Sequence, residues 1–204
     1  MHSFWFFILA SIGASLAPGP DNLYVLTLGM GNRRRQALAA AWGMISGILV
    51  HTTLAAFGIS SLFAASPLLF TILKIAGSGY LFYLAYHCWK DRNRSLDLVT
   101  QESDSGIGKM FLRGFLMNVL NPKVLLFFLA FLPQFVDYSL GKVSHQMFIL
   151  GITFMAQALV IFTLIALLAS IFGKRLRQNQ VLQKWISIAT SILFTIVALN
   201  LLVL

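Results

Sequence analysis

Two charged residues directly follow prolines inside apolar runs, and they are the places where this chain could do chemistry. Ala17-Pro18-Gly19-Pro20-Asp21-Asn22 interrupts the run from Phe4 to Met30, and Asn121-Pro122-Lys123 interrupts the run from Phe111 to Phe135. Proline removes a backbone donor and clashes with the preceding turn, and the residue before it is pushed out of the α region. A helix therefore breaks at each site. In a bilayer, broken backbone persists only where protein buries it or water reaches it, and transporters place binding sites at such breaks. One break carries a carboxylate and the other an ammonium. Together they suit the two ends of a zwitterion.

Each residue also has a plainer reading. An aspartate in mid-membrane costs roughly 2.5–3.5 kcal/mol, so Asp21 has a role or a partner. It either lies on the path of a substrate or ion, or caps the second half-helix, or does both. Lys123 is the counter-charge to Asp21, unless it snorkels to an interface. About a dozen residues separate it from Phe111, which makes that reach awkward. Lys74 precedes Gly77-Ser78-Gly79 and is close enough to an end to snorkel. His51 falls in step with Gly43 and Gly47 at intervals of four, a face on which two helices approach closely. It points into the bundle, as a site residue or as a satisfied core histidine. Asn121 is assigned to the site. Asn118 and Gln157 either bind cargo or join helices by hydrogen bonds. The candidate substrate or ion path thus holds Pro18, Gly19, Pro20, Asp21, Asn22, His51, Lys74, Asn118, Asn121, Pro122, Lys123 and Gln157.

The elements that must position them are membrane helices. Of 204 residues, 58% are hydrophobic and 10% charged, against about 25% charged in soluble domains. Six apolar runs reach the bilayer-crossing length of about 20 residues. They are Phe4 to Met30, Ala37 to Leu62, Leu68 to Trp89, Phe111 to Phe135, Phe148 to Phe172 and Val181 to Leu204. The expected fold is an all-α integral membrane protein of six transmembrane helices, with helices one and four broken. The amino-terminal run lacks a basic leader, so it reads as a retained span rather than a signal peptide.

Basic residues set the orientation. Arg33, Arg34 and Arg35, then Lys90, Arg92, Arg94, Lys109 and Arg113, then Lys174, Arg175, Arg177 and Lys184 fall between runs or just inside their ends on one side, and only Lys142 on the other. The positive-inside rule makes the first side cytoplasmic and puts both termini outside. The polar stretch 91–108 reads as a cytoplasmic linker between halves 1–90 and 109–204 of a single transporter domain. Three runs on each side mean that the halves enter the membrane from opposite faces, which is an inverted repeat. Both breaks then fall near the middle of a core about 30 Å thick.

Other classes are poorly served. The net charge of +9 sits in loops beside anionic lipid rather than in aromatic-interleaved patches that would bind nucleic acid. Cys88 is the only cysteine, so the chain forms no internal disulfide and no thiolate cluster. The four histidines make no short ligand motif. No phosphate loop and no nucleophile elbow occurs, so neither an enzyme nor an ATP-driven pump is expected, and no cofactor or metal.

The motif Ala17-Pro18-Gly19-Pro20-Asp21-Asn22, Gly31 with its basic loop, and Gly43…Gly47…His51 resemble the amino-terminal half of the lysine exporter family, in its homoserine/threonine resistance branch (LysE/RhtB). Ala76-Gly77-Ser78-Gly79-Tyr80-Leu81 is similar to that family's third span. Gly114 to Lys123, with Phe127-Phe128 and Leu132-Pro133-Gln134-Phe135, resembles its fourth. The resemblance covers nearly the whole chain in order. It implies a bacterial inner-membrane exporter of neutral, polar amino acids or their derivatives, powered by an ion gradient. Competition of a proton with cargo at Asp21 makes the proton preferred to sodium. A homodimer is compatible with it. The runner-up is a cation or heavy-metal exporter of the same superfamily, for which Asp21 alone is thin support. A thiol–disulfide carrier would need two membrane cysteines, and a scaffold would have no use for two mid-membrane breaks.

Overall fold

The computed structural model describes residues 2–17, 19–31, 33–59, 67–93 and 106–203, and every regular element among them is helical. The first apolar run splits into α1 (His2–Leu16) and α2 (Pro20–Met30). The second forms α3 (Arg34–Thr53), which continues as a π-helical stretch, Leu54–Ile59. The third forms α4 (Pro67–Lys90). The fourth splits into α5 (Ile107–Val119) and α6 (Pro122–Leu126). α6 runs on as a π-helix, Phe127–Phe131, and a 3-10 turn, Leu132–Phe135. The last two are α7 (Val143–Gln178) and α8 (Gln180–Val203). Pro18, residues 60–62 of the second run and most of the 91–108 linker lie outside the described residues.

Each run is therefore helical, and the breaks fall where proline requires them. One pair of boundaries differs from expectation. α7 extends the fifth run at both ends, to 36 residues, because no proline stops it between Val143 and Gln178. The fourth run reaches Phe135 as expected, passing through Pro133. That proline sits in the first turn of the 3-10 segment, where a missing N–H costs nothing.

Three unbroken helices are long and apolar enough to cross a membrane: Arg34–Gly58, Val143–Phe172 and Gln180–Val203. The pair either side of Asn121, bent by 48°, makes a fourth. Phe4–Leu16 is apolar but shorter. Burial tells them apart. In the most apolar window, 61% of the α3 span is buried, against 28% for α7 and 33% for α8. α3 is the central helix. The other two turn residues such as Leu164, Leu168, Ile171, Ile196 and Leu199 outward. Water would oppose so much exposed apolar surface, whereas lipid tails accept it.

Where lipid is as apolar as leucine, helices associate by close packing of small residues. α3 and α5 do so at two glycines. A Cβ on Gly43 would overlap the Phe111 carbonyl, and one on Gly114 would overlap the Ala40 carbonyl. One turn further along α3, Gly47 leaves room for the Asn118 side chain. This is the Gly43–Gly47–His51 face, and it packs on α5. α2 joins the same end of α5, where the Arg113 guanidinium lies 5.2 Å from the Tyr24 ring centre and the Tyr24 hydroxyl donates to Met110 Sδ. α3 also packs against α7, and α4 against α8.

Candidate functional site

The first break is held open by its own side chains. The Ala17 N–H still bonds the Gly13 carbonyl, 2.8 Å away, but the carbonyls at the end of α1 have lost their helical partners. The Asn22 amide supplies them, donating to the Ser15 carbonyl (2.9 Å) and the Ala17 carbonyl (2.8 Å). Gly19 then precedes α2 in extended conformation, with no side-chain cap. Asp21 lies in the first turn of α2, whose positive end favours a carboxylate.

The second break uses the same parts in another order. The Asn121 N–H closes the end of α5 on the Asn118 carbonyl, 2.9 Å away. The Asn121 Oδ1 accepts from the Lys123 N–H (3.0 Å) and so caps α6. Pro122 occupies the first turn, as Pro20 does in α2. Each half-helix thus opens with a proline followed by a charged residue, Asp21 in one and Lys123 in the other. His51 steadies this break from α3. Its Nε2 lies 3.0 Å from the Asn118 carbonyl, which can only accept, so Nε2 carries the proton. Its Nδ1 has no partner among the described residues, and the residue is fully buried.

The two breaks meet in an ion pair. Lys123 Nζ lies 3.2 Å from Asp21 Oδ2 and 3.4 Å from Oδ1. It also donates to the Ala17 carbonyl at 3.4 Å, so the ammonium rests against the open end of α1. Asp21 is 3% exposed and Lys123 8%, so neither charge snorkels to an interface. Removing either partner would strand a buried charge. The contacts are longer than the roughly 2.7–2.9 Å of a tight charge-assisted bond. The pair is therefore loosely held.

Beside the pair is a cavity of about 20 Å³. It holds about one water and no amino acid, so cargo of that size needs the helices to separate. Ser15, Asp21, Asn118 and Lys123 are its polar residues, and Phe127, Phe154, Phe162 and Phe194 are the bulk of its apolar wall. Ile48 and Leu81 complete it from α3 and α4, so each of α1 to α8 contributes a residue to it.

The structure therefore brings Gly19, Asp21, Asn22, Asn118, Asn121, Lys123 and His51 together around the two breaks. Pro20 and Pro122 start the half-helices, and Pro18 lies outside the described residues. Gln157, on α7, donates to the Ser15 hydroxyl (2.9 Å) and the Ser11 carbonyl (3.3 Å), clamping the end of α1 from the side. Lys74 is not brought in. It is half-buried on α4, two turns or about 10 Å along the helix from Leu81, which lines the cavity. Sequence reasoning passed over Ser15 and the phenylalanines. Phe154 and Phe162 are eight residues apart, on one helical face, but the same spacing marks any core-facing stripe. Among the described residues no three His, Cys, Asp or Glu side chains cluster as a metal site would need.

A helical chain with outward apolar faces, broken at two places where buried opposite charges meet, has the build of a membrane translocator rather than an enzyme. Comparison with known proteins agrees, and the chain belongs to the LysE type translocator family, whose model matches residues 12–204. It is 34% identical over 166 residues to the homoserine/homoserine lactone efflux protein of Salmonella typhimurium, covering 81% of this chain and 80% of that one. It is 30% identical over 151 residues to the leucine efflux protein of the same organism, covering 74% and 71%. An uncharacterized membrane protein of Vibrio cholerae is 31% identical over 185 residues, covering 90% and 89%. No solved structure matches the chain significantly.

Proposed function

We propose that this protein exports a neutral amino acid, or a close derivative, across the inner membrane of a bacterium, driven by an ion gradient. The observation that carries the reading is the buried Asp21–Lys123 pair at the meeting of two helix breaks. The family and the printed names of its homoserine and leucine efflux relatives support the choice of cargo. The cargo's ammonium takes the place that Lys123 Nζ holds on Asp21 and the Ala17 carbonyl. Its carboxylate then meets the released Lys123 at the positive end of α6. Because the pair is loose, this exchange replaces two long contacts with two new ones rather than stranding a charge.

Six spans in two inverted halves support alternating access around that point. What favours the repeat is the Pro–charge step that opens α2 and α6, and the packing of α3 on α7 and of α4 on α8 across the halves. The basic loops face the cytoplasm and both termini lie outside. Coupling follows if Asp21 accepts a proton when the cargo leaves outward, so that proton and ammonium compete for one carboxylate. A proton fits this better than sodium, since a protonated acid needs no set of oxygen ligands.

The test is export by inside-out vesicles under an imposed pH gradient. Asp21→Asn keeps the shape and removes the charge, and gradient-driven accumulation should be lost while the protein remains folded. A normal rate with a normal pH dependence would show that Asp21 only shapes the break. Protection of cells against a divalent metal, with none against any amino acid or analogue, would favour the cation-exporter reading instead.

A further inference from the structure

The cavity beside the ion pair is lined by two kinds of residue. Its polar atoms belong to residues at the two breaks: Ser15 at the end of α1, Asp21 in α2, Asn118 near the end of α5 and Lys123 in α6. The residues that α3, α4, α7, α8 and the continuation of α6 contribute carry no polar side-chain atom, and Ala14 and Val124 add apolar surface from the breaks. Phe127, Phe154, Phe162 and Phe194 supply most of it, each no more than 5% exposed, and Ile48 and Leu81 fill the gaps. Two of the rings are fixed by each other, since Phe127 and Phe154 have centroids 5.2 Å apart, and Phe128 backs Phe154 at 5.1 Å.

We infer that the cargo carries an apolar, uncharged side chain of aliphatic size, seated against Phe127, Phe154, Phe162 and Phe194. This rests on the export reading above and narrows it, and it departs from the polar side chain expected from resemblance. The amino and carboxyl groups of an amino acid use the polar residues, and the side chain is left facing the aromatic wall. A methylene buried there raises affinity about fourfold (~0.8 kcal/mol, at ~1.4 kcal/mol per tenfold). A hydroxyl at the same place loses its water and finds no partner on the wall. A charged side chain is excluded more strongly still, because beside the four paired charges of Asp21, Lys123 and the zwitterion it would be a fifth with no counter-ion. Of the cavity's acceptors, Asn118 Oδ1 is buried and has no partner among the described residues. It lies beside Gly47 of α3 and belongs to a residue near the end of α5, at the second break.

The pair norvaline and homoserine isolates the question, since one has a terminal methyl where the other has a hydroxyl. Inside-out vesicles containing the full chain would be given each as labelled compound, with glycine, alanine and 2-aminobutyrate completing the series. Accumulation efficiency should rise about fourfold per methylene, and norvaline should exceed homoserine at least tenfold. Phe194→Tyr, which adds a hydroxyl to the wall with little change of volume, should lower the norvaline-to-homoserine ratio at least threefold without lowering Tm. Homoserine transported as well as norvaline, with both above vesicles lacking the protein, overturns the apolar seat and leaves the export reading intact. An unchanged ratio in Phe194→Tyr overturns the assignment of that wall. Accumulation of none of the five above background overturns the export reading itself.

Discussion

Gly19 leaves the space into which Lys123 reaches. A Cβ at position 19 would lie 3.1 Å from Lys123 Nζ and 2.6 Å from Asp21 Oδ1, so the absent side chain is what lets the ammonium settle between the carboxylate and the end of α1. The backbone there is extended, which any residue adopts, so the requirement is for room and not for a glycine conformation.

Gly19→Ala should therefore disturb the ion pair and little else. The added methyl crowds two side-chain ends, and overpacking of this kind costs about 1–3 kcal/mol. The expected result is a lower Tm with export reduced more than the amount of protein in the membrane. Gly79→Ala, where nothing lies within 4 Å of the added carbon, is the control and should change neither.

Asp21 and Lys123 should behave as a unit. Asp21→Asn or Lys123→Met alone strands a buried charge, and each should lower stability by roughly 3–5 kcal/mol if the remaining group stays ionised. The double variant removes both charges, and its stability should lie closer to the native protein than either single one does. Export should be absent in all three. Additive losses in the double variant would show that the two residues act separately.

Asn121→Ala removes the acceptor from the first turn of α6 and exposes no new charge. A lost N-cap costs about 1 kcal/mol, and Asn121→Ser should restore most of it. Unfolding of the detergent-solubilised protein followed by tryptophan fluorescence would read both. If Asn121→Ala also weakens cargo binding and Asn121→Ser does not, the cap acts by placing Lys123.

Topology can be checked apart from transport. In a Cys88→Ser background, a cysteine at Ser103 should react with a permeant maleimide and be protected from an impermeant one added outside intact cells. A cysteine at Ser139 should show the reverse, as Ser139 lies in the exposed turn between α6 and α7. Labelling of position 103 from outside would reverse the assigned orientation.

Much of this protein was legible from its residues in order. Apolar runs of bilayer length mark helices because the period and the solvent leave few alternatives, and proline breaks a helix wherever it falls inside one. Asp21 and Lys123 stood out because charge is rare in such runs. The glycine spacing before His51 marked a close helix contact, since only small residues permit one. Tertiary structure decided the rest. Nothing local says that two residues 102 positions apart meet, and their pairing follows from how α2 and α6 pack. His51 could have served cargo or structure, and its Nε2 was found on the Asn118 carbonyl. Lys74 had the right chemistry but the wrong height along α4, which depends on where that helix sits against its neighbours. The four phenylalanines around the cavity were invisible in a chain with 18 of them, because an apolar residue facing lipid and one facing cargo look alike until the helices are packed.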